Sequence, residues 1–235
     1  MFWSALPHLG QELIRVVDEI TDERVAVIVL KNDCRSCTRC AIGGKTLSGS
    51  EWSSEPDDDG EVQPITNVFS NMNFSAEVMV VGQNPGADEV AAAEPFVGTS
   101  GKVFNQVLRD IVGLERKDLY ITNTVKCYTA RNRKPTQGEM DNCRDCLDLE
   151  MKLVEPRVVV ALGSHAFKTL TGMSGIMKNS GMMVMSPRYR VPVLAMLHPS
   201  PYNTTHPERR KLFDKAMYTL KAYMVGLERS KQHTS

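Results

Sequence analysis

Glu77-Val78-Met79-Val80-Val81-Gly82-Gln83-Asn84-Pro85-Gly86 is the stretch from which the rest of this chain can be read. Its first half is a short apolar run, rich in β-branched residues and closed by glycine. That is the pattern of a strand buried on both faces. Its second half is a turn built from glycine, asparagine and proline. Three further runs of the same kind follow at Leu119–Val125, Arg157–Leu162 and Val191–Leu197. Helical stretches separate them. One covers roughly 99–113, one runs from Thr136 to about Val154, and a short one spans Ser164–Thr171. Thr136-Gln137-Gly138-Glu139 has the S/T-x-x-E form in which a threonine hydroxyl and a glutamate carboxylate cap the first turn reciprocally. Pro207 suits a helix N-terminus, and Phe213, Ala216, Met217, Leu220, Tyr223, Met224 and Leu227 then form one apolar face. Strands alternating with helices predict an α/β fold, with a central, mostly parallel four-stranded sheet flanked by helices. Ligands of such sheets sit beyond the carboxyl ends of the strands. The polar residues found there are Gly82–Gly86, Asn123 and His198-Pro199-Ser200-Pro201.

The chain has 235 residues, 42% hydrophobic and 24% charged, with a formal net charge of +0. This is the composition of an ordinary soluble globular protein. It is expected to form a single domain over 1–235, with an N-terminal helical extension over 1–30 and an acidic loop over 43–63. Leu13, Val16, Val17 and Ile20 give the extension its apolar face, and Asp57-Asp58-Asp59-Gly60 lies at the centre of the loop. A neutral chain that binds nucleic acid must do so by local segregation of charge. No apolar run approaches the ~20 residues of a membrane span, and Met1–Gly10 lacks the layout of a signal peptide. An intracellular monomer without membrane contact, in cytoplasm, nucleoid or nucleus, is expected.

Six cysteines fall at Cys34, Cys37, Cys40, Cys127, Cys143 and Cys146. Intracellular chains rarely keep structural disulfides, and close C-x-x-C spacing points instead to a metal or a redox pair. Cys34 with Cys37 and Cys37 with Cys40 both fit that spacing. Four cysteines can close a structural zinc tetrahedron, and they can equally hold an iron–sulfur cluster.

Taken in order, these segments resemble the active-site motifs of uracil-DNA glycosylases, in the iron–sulfur group often called family 4. Gly82–Gly86 resembles the water-activating motif, Pro95-Phe96-Val97-Gly98 follows at the family's spacing, and Thr122-Asn123-Thr124-Val125-Lys126-Cys127 resembles its T-N-x-V-K-C segment. Asn132-Arg133-Lys134-Pro135, Cys143, Val158–Gly163 and His198-Pro199-Ser200 continue the match, which covers about 77–203 and the early cysteines. The resemblance implies an enzyme of base excision repair that hydrolyses the N-glycosidic bond of uracil in DNA and leaves an abasic site. The alternatives are a glycosylase for another deaminated or mismatched base, and a non-catalytic DNA-binding module of the same fold.

The resemblance also implies roles for residues. Phe96 stacks on the flipped base, Asn123 reads its Watson–Crick edge, and His198 donates a hydrogen bond to the departing base. Asn84 positions water, while Gly82, Gln83 and Ser200 line the substrate. Gln83 departs from the glutamate usual in the iron–sulfur family, which bears on how water is activated. Cys37, Cys40, Cys127 and Cys143 are the implied ligands of a [4Fe–4S] cluster, with zinc as the competing metal. Cys37 pairs better with Cys40 than with Cys34, because Ala41-Ile42 then falls on the family's C-x-L pattern. Cys34 and Cys146 are left as spares. Phosphate contacts are expected from Lys126, Arg131, Arg133 and Lys134 and from Arg209–Lys211, with Tyr202 as a wedge.

Overall fold

The computed structural model describes Cys37, Arg39, Cys40, Ile42 and residues 46–48, 51–53 and 67–232. The expected N-terminal helix, Cys34 and the acidic run at 57–59 lie outside the described residues. The elements in chain order are β1 (Thr46–Ser48), β2 (Glu51–Ser53), β3 (Val78–Gly82), α1 (Ala87–Ala92), α2 (Thr99–Val107), β4 (Leu119–Asn123), α3 (Gln137–Val154), β5 (Val158–Leu162), α4 (Gly163–Thr171), α5 (Ile176–Asn179), β6 (Met183–Met185), β7 (Pro192–Met196), α6 (Pro201–Thr205) and α7 (Pro207–Gln232). The chain divides into two compact units, one of Met1–Ser70, Asn84–Pro95 and Asn123–Leu153, the other of Asn71–Gln83, Phe96–Thr122 and Val154–Ser235.

The second unit carries the sheet, whose strand order is β4-β3-β5-β7-β6. Val78 pairs with Val158 and Val159 with Val193, both in parallel register. The expected α/β sheet is thus present with five strands rather than four. The extra strand, β6, is three residues long and runs antiparallel to β7, with Met183 opposite Leu194. Three residues are too few to show a period of two, so the sequence gives no signal for it. Alternate strand residues Val78, Val80, Leu119, Ile121, Val158, Val160, Leu194 and Met196 enter one apolar core with Phe104, Leu108, Phe213, Met217 and Leu220 from the helical layer. Helix α4 packs on β3, β5 and β7 through Ala166, Phe167 and Leu170, residues outside that core, and so covers the other face. Chain order reverses beside β3, and the strand ends at such a reversal are where open α/β sheets bind ligands.

One turn of this unit is held under strain. Phe96 has φ 55, a left-handed conformation that a bulky side chain adopts only when its surroundings impose it. Two neighbours do so. Arg116 Nη1 donates to the Phe96 carbonyl at 3.2 Å, and Gly101 in the first turns of α2 approaches the same carbonyl so closely that a Cβ there would overlap it.

In the first unit, β1 and β2 form a short hairpin with Thr46 opposite Ser53, within the stretch expected as loop. The capping box of α3 forms as expected: Glu139 N donates to Thr136 Oγ1 at 3.2 Å, and Thr136 N to Glu139 Oε2 at 2.8 Å. Arg133 grips the same carboxylate through Nη1 at 2.9 Å and Nη2 at 2.6 Å. These donors, Arg133 foremost, hold the Glu139 carboxyl at about 2, below its ordinary 4.5.

Two outcomes follow for stability. Gly101→Ala should cost about 1–3 kcal/mol, as overpacking does, read as a lowered urea midpoint. A carboxylate whose folded pKa is depressed contributes fully above its unfolded value and loses that contribution as pH falls toward the folded one. The stability supplied by Glu139 should therefore be complete above about pH 4.5 and decline toward pH 2. Glu139→Gln should flatten that part of a urea-midpoint profile, and an unchanged slope would show that the carboxylate is not ionised against Arg133.

Candidate active site and cysteine group

Within the second unit, Gly82 closes β3 and is buried, and Gln83 beside it is half-buried. Phe96 is 7% exposed, and its ring lies 6.2 Å from the imidazole of His198 and 6.4 Å from Phe104. The aromatic face and the imidazole expected to serve one base are therefore neighbours in space across a long stretch of sequence. His198 follows β7, and its carbonyl accepts Ser200 N at 2.8 Å and Asn203 Nδ2 at 2.9 Å. Gly163, with φ +86, begins α4 in a left-handed conformation that favours glycine, and a Cβ there would stand in contact with His198 Cβ at 3.4 Å. Ser200 occupies the N-cap of α6 without using its hydroxyl as a cap. Tyr202 is 61% exposed. Arg209 lies over its ring at 4.7 Å and donates to Asn203 Oδ1 at 2.9 Å.

Within the first unit, Asn123 is the last residue of β4 and 2% exposed. Its Oδ1 is buried and has no hydrogen-bond partner among the described residues. Buried polar atoms in folded proteins are nearly always partnered, so such an acceptor asks what donor it is meant for. Asn84 is held differently. Its Nδ2 donates to Pro85 O at 3.0 Å, Asn132 Oδ1 at 3.2 Å and Thr129 Oγ1 at 3.3 Å. Arg131 and Asn132 both have positive φ, and so fold a tight turn against it. Of the nearby carboxylates, Glu89 accepts from Gly86 N at 2.8 Å and caps α1, and Asp88 is exposed.

The expected phosphate-binding row is only partly on the surface. Arg131 and Lys134 are exposed, but Arg133 is engaged by Glu139. Lys126 is 1% exposed and cannot reach a phosphate. Its Nζ lies 2.5 Å from Glu150 Oε2 and 2.6 Å from the Asn123 carbonyl oxygen. Farther along, Arg210 pairs with Asp214 and Lys211 with Glu208.

The cysteines gather in the first unit. Cys127, Cys143 and Cys146 are buried, and Cys37 and Cys40 are half-buried. Burial pushes the Cys127 thiol up to about 12. Asn67 Nδ2, 3.6 Å from its Sγ, opposes the rise, and the charges of Cys40, Cys37 and Cys146 add to it. Burial likewise raises Cys143, with Cys146 and Cys127 adding and the Lys126 backbone N–H opposing. Cys37, Cys40 and Cys146 thus act on Cys127, and Cys146 and Cys127 on Cys143; burial favours the neutral thiols, and a bound metal would be what turns them into thiolates. Among the described residues no three His, Cys, Asp or Glu side chains converge as one metal ion requires. A [4Fe–4S] cluster asks for less convergence, because each iron takes its own thiolate and the sulfurs stand around a larger body. The donor set, all thiol, is of the kind such a group takes. Cys146 was set aside on sequence as a spare, yet it stands with the others, and Arg39 Nη2 contacts its Sγ at 3.9 Å. Its C-x-x-C spacing from Cys143 was the available signal.

The chain matches the family model described as the uracil DNA glycosylase superfamily over residues 69–221. It is 32% identical over 174 residues to a type-4 uracil-DNA glycosylase of Sulfurisphaera tokodaii, spanning 66% of this chain and 79% of that one. It is 37% identical over 135 residues to the type-4 uracil-DNA glycosylase of Archaeoglobus fulgidus, spanning 54% and 67%. A type-5 uracil-DNA glycosylase of Thermus thermophilus is 30% identical over 200 residues, spanning 77% and 89%. The matched residues contain β3 through α6, with every strand end and polar motif described above, and the chain belongs to the uracil DNA glycosylase superfamily.

Proposed function

We propose that this chain excises uracil from DNA by hydrolysing the bond between the base and the sugar. The observation that carries this reading is the buried acceptor Asn123 Oδ1, which has no hydrogen-bond partner among the described residues. A carboxamide offers one acceptor and one donor edge. Uracil presents N3–H and O4 in the complementary order, so Oδ1 accepts from N3–H and Nδ2 donates to O4. Cytosine presents an acceptor at N3 and a donor at N4, and would leave both edges of a buried amide unpaired. The flat face of Phe96 takes the base once it has left the stack.

Each atom is accounted for in the reaction. The C1′–N1 bond breaks and its electron pair passes onto the base, where negative charge collects at O2. A hydrogen bond from His198 meets that charge as it grows. Water then bonds to C1′, and its proton is released to the base or solvent. Asn84 orients this water through its side-chain carbonyl, its NH2 being engaged by the 129–132 turn. Cys37, Cys40, Cys127 and Cys143 would hold a [4Fe–4S] cluster, which supplies a covalent tie between the early segment and α3. Arg131, Lys134 and Ser200 serve the phosphates. A cytoplasmic or nuclear site of action and a monomeric state go with this reading.

The test is alkaline cleavage of a labelled uracil-containing strand after incubation with the protein. Breakage should require uracil, spare cytosine, and fall about a hundredfold or more in Asn123→Ala, where two buried hydrogen bonds are lost. No breakage by metal-replete wild type would count against uracil, and a panel of deaminated and mismatched bases would then locate the substrate. Cys143→Ala should lose visible absorbance together with iron and acid-labile sulfide. A colourless wild-type protein containing zinc would overturn the cluster.

A further inference from the structure

We propose that Lys126 is a positioning residue for base recognition, acting through the Asn123 carbonyl while Glu150 holds its ammonium in place. This rests on the uracil-reading role of Asn123.

The residue is a poor candidate for any other task. At 1% exposure it reaches neither solvent nor phosphate. Its carboxylate partner Glu150 is 0% exposed. For folding alone, a buried ion pair gains little over apolar residues of the same volume. What an apolar pair cannot supply is the bond from Nζ to Asn123 O, 2.6 Å long. That bond spans three residues and closes the turn leaving β4 just where Asn123 must present its amide. Other contacts fix Lys126 in turn. Its carbonyl accepts Val68 N at 2.8 Å, its ammonium stands 5.9 Å from the Phe69 ring, and Glu150 projects from α3, the helix that also carries Cys143. The base reader is thereby tied to the helix that holds the cysteines. Displacing a reading group by about 1 Å can cost on the order of a hundredfold in rate.

Lys126→Met/Glu150→Leu replaces the pair with apolar side chains of similar volume. It should fold with its visible absorbance and near wild-type melting temperature, and should bind abasic product DNA, which has no base to read, as wild type does. Its single-turnover rate on a uracil strand should fall roughly tenfold to a hundredfold. The same substitutions in an Asn123→Ala background should cost nothing further, since the group they position is gone. A folded double variant with the wild-type uracil rate would overturn the proposal, as would losses that add to those of Asn123→Ala. If the double variant does not fold, Lys126→Gln enters the same cycle, with the same two outcomes. An unchanged uracil rate in Asn123→Ala would instead remove the reading of Asn123 itself. A loss in Asn123→Ala with none in the Lys126 variants would remove only the role of Lys126.

Discussion

The ammonium of Lys126 lies out of water, and a charge in that position has to be met by partners of fixed geometry. Glu150 from α3 and the carbonyl that ends β4 meet it here. Because neither partner can move without stranding a buried charge, three parts of the first unit are placed together: the residue that ends β4, the cysteine that follows Lys126, and the helix that carries two more cysteines. The Lys126 backbone also takes part. Its carbonyl accepts from Val68 and its N–H bonds the Cys143 thiol. One side chain and its own peptide groups thus link the residue that ends β4 to the cysteine-bearing helix.

The second unit holds Phe96 by strain. Phe96 sits in a left-handed conformation that its side chain disfavours, and Gly101 leaves only enough room for the Phe96 carbonyl. A residue held this way has few alternative positions. Its ring lies 6.2 Å from the imidazole of His198. On the proposed reading, preorganisation of this kind lowers the cost of binding a flat base, because the ordering has been done during folding.

Much of this was legible in the sequence because the relevant signals are local. The β-branched runs, the Thr136–Glu139 capping box and the polar residues at strand ends are patterns of a few residues, and the structure places them at β3, β4, α3, β5 and β7 as read. The fifth strand was not legible, since Met183–Met185 offers no period and is a strand only because β7 pairs with it. Lys126 was misread for a general reason. Charge in a sequence is taken as surface, and burial of a lysine depends on a carboxylate that lies far along the chain, in this case Glu150 in the last turns of α3. Cys146 is a related case. Its spacing from Cys143 is visible in the sequence, but its nearness to Cys127 is seen only in the fold.

The same contrast bears on how water attacks. A carboxylate at the first motif could draw a proton from water before the bond breaks. Gln83 and Asn84 cannot, since a neutral carboxamide does not take a proton near pH 7. The neighbouring acids do not fill the gap, because Glu89 is committed to capping α1 and Asp88 faces solvent. On the proposed reading, then, the barrier has to be lowered on the departing side. The C1′–N1 bond lengthens first, negative charge builds on the base against His198, and a sugar that has become cationic needs only water that is correctly placed. An amide suffices for that, provided it does not rotate. The acceptors that Asn84 Nδ2 meets at Pro85 O, Thr129 Oγ1 and Asn132 Oδ1 hold it against rotation. On that reading the chain gives its first motif to orientation and leaves the electrostatic part of the chemistry to the end of β7.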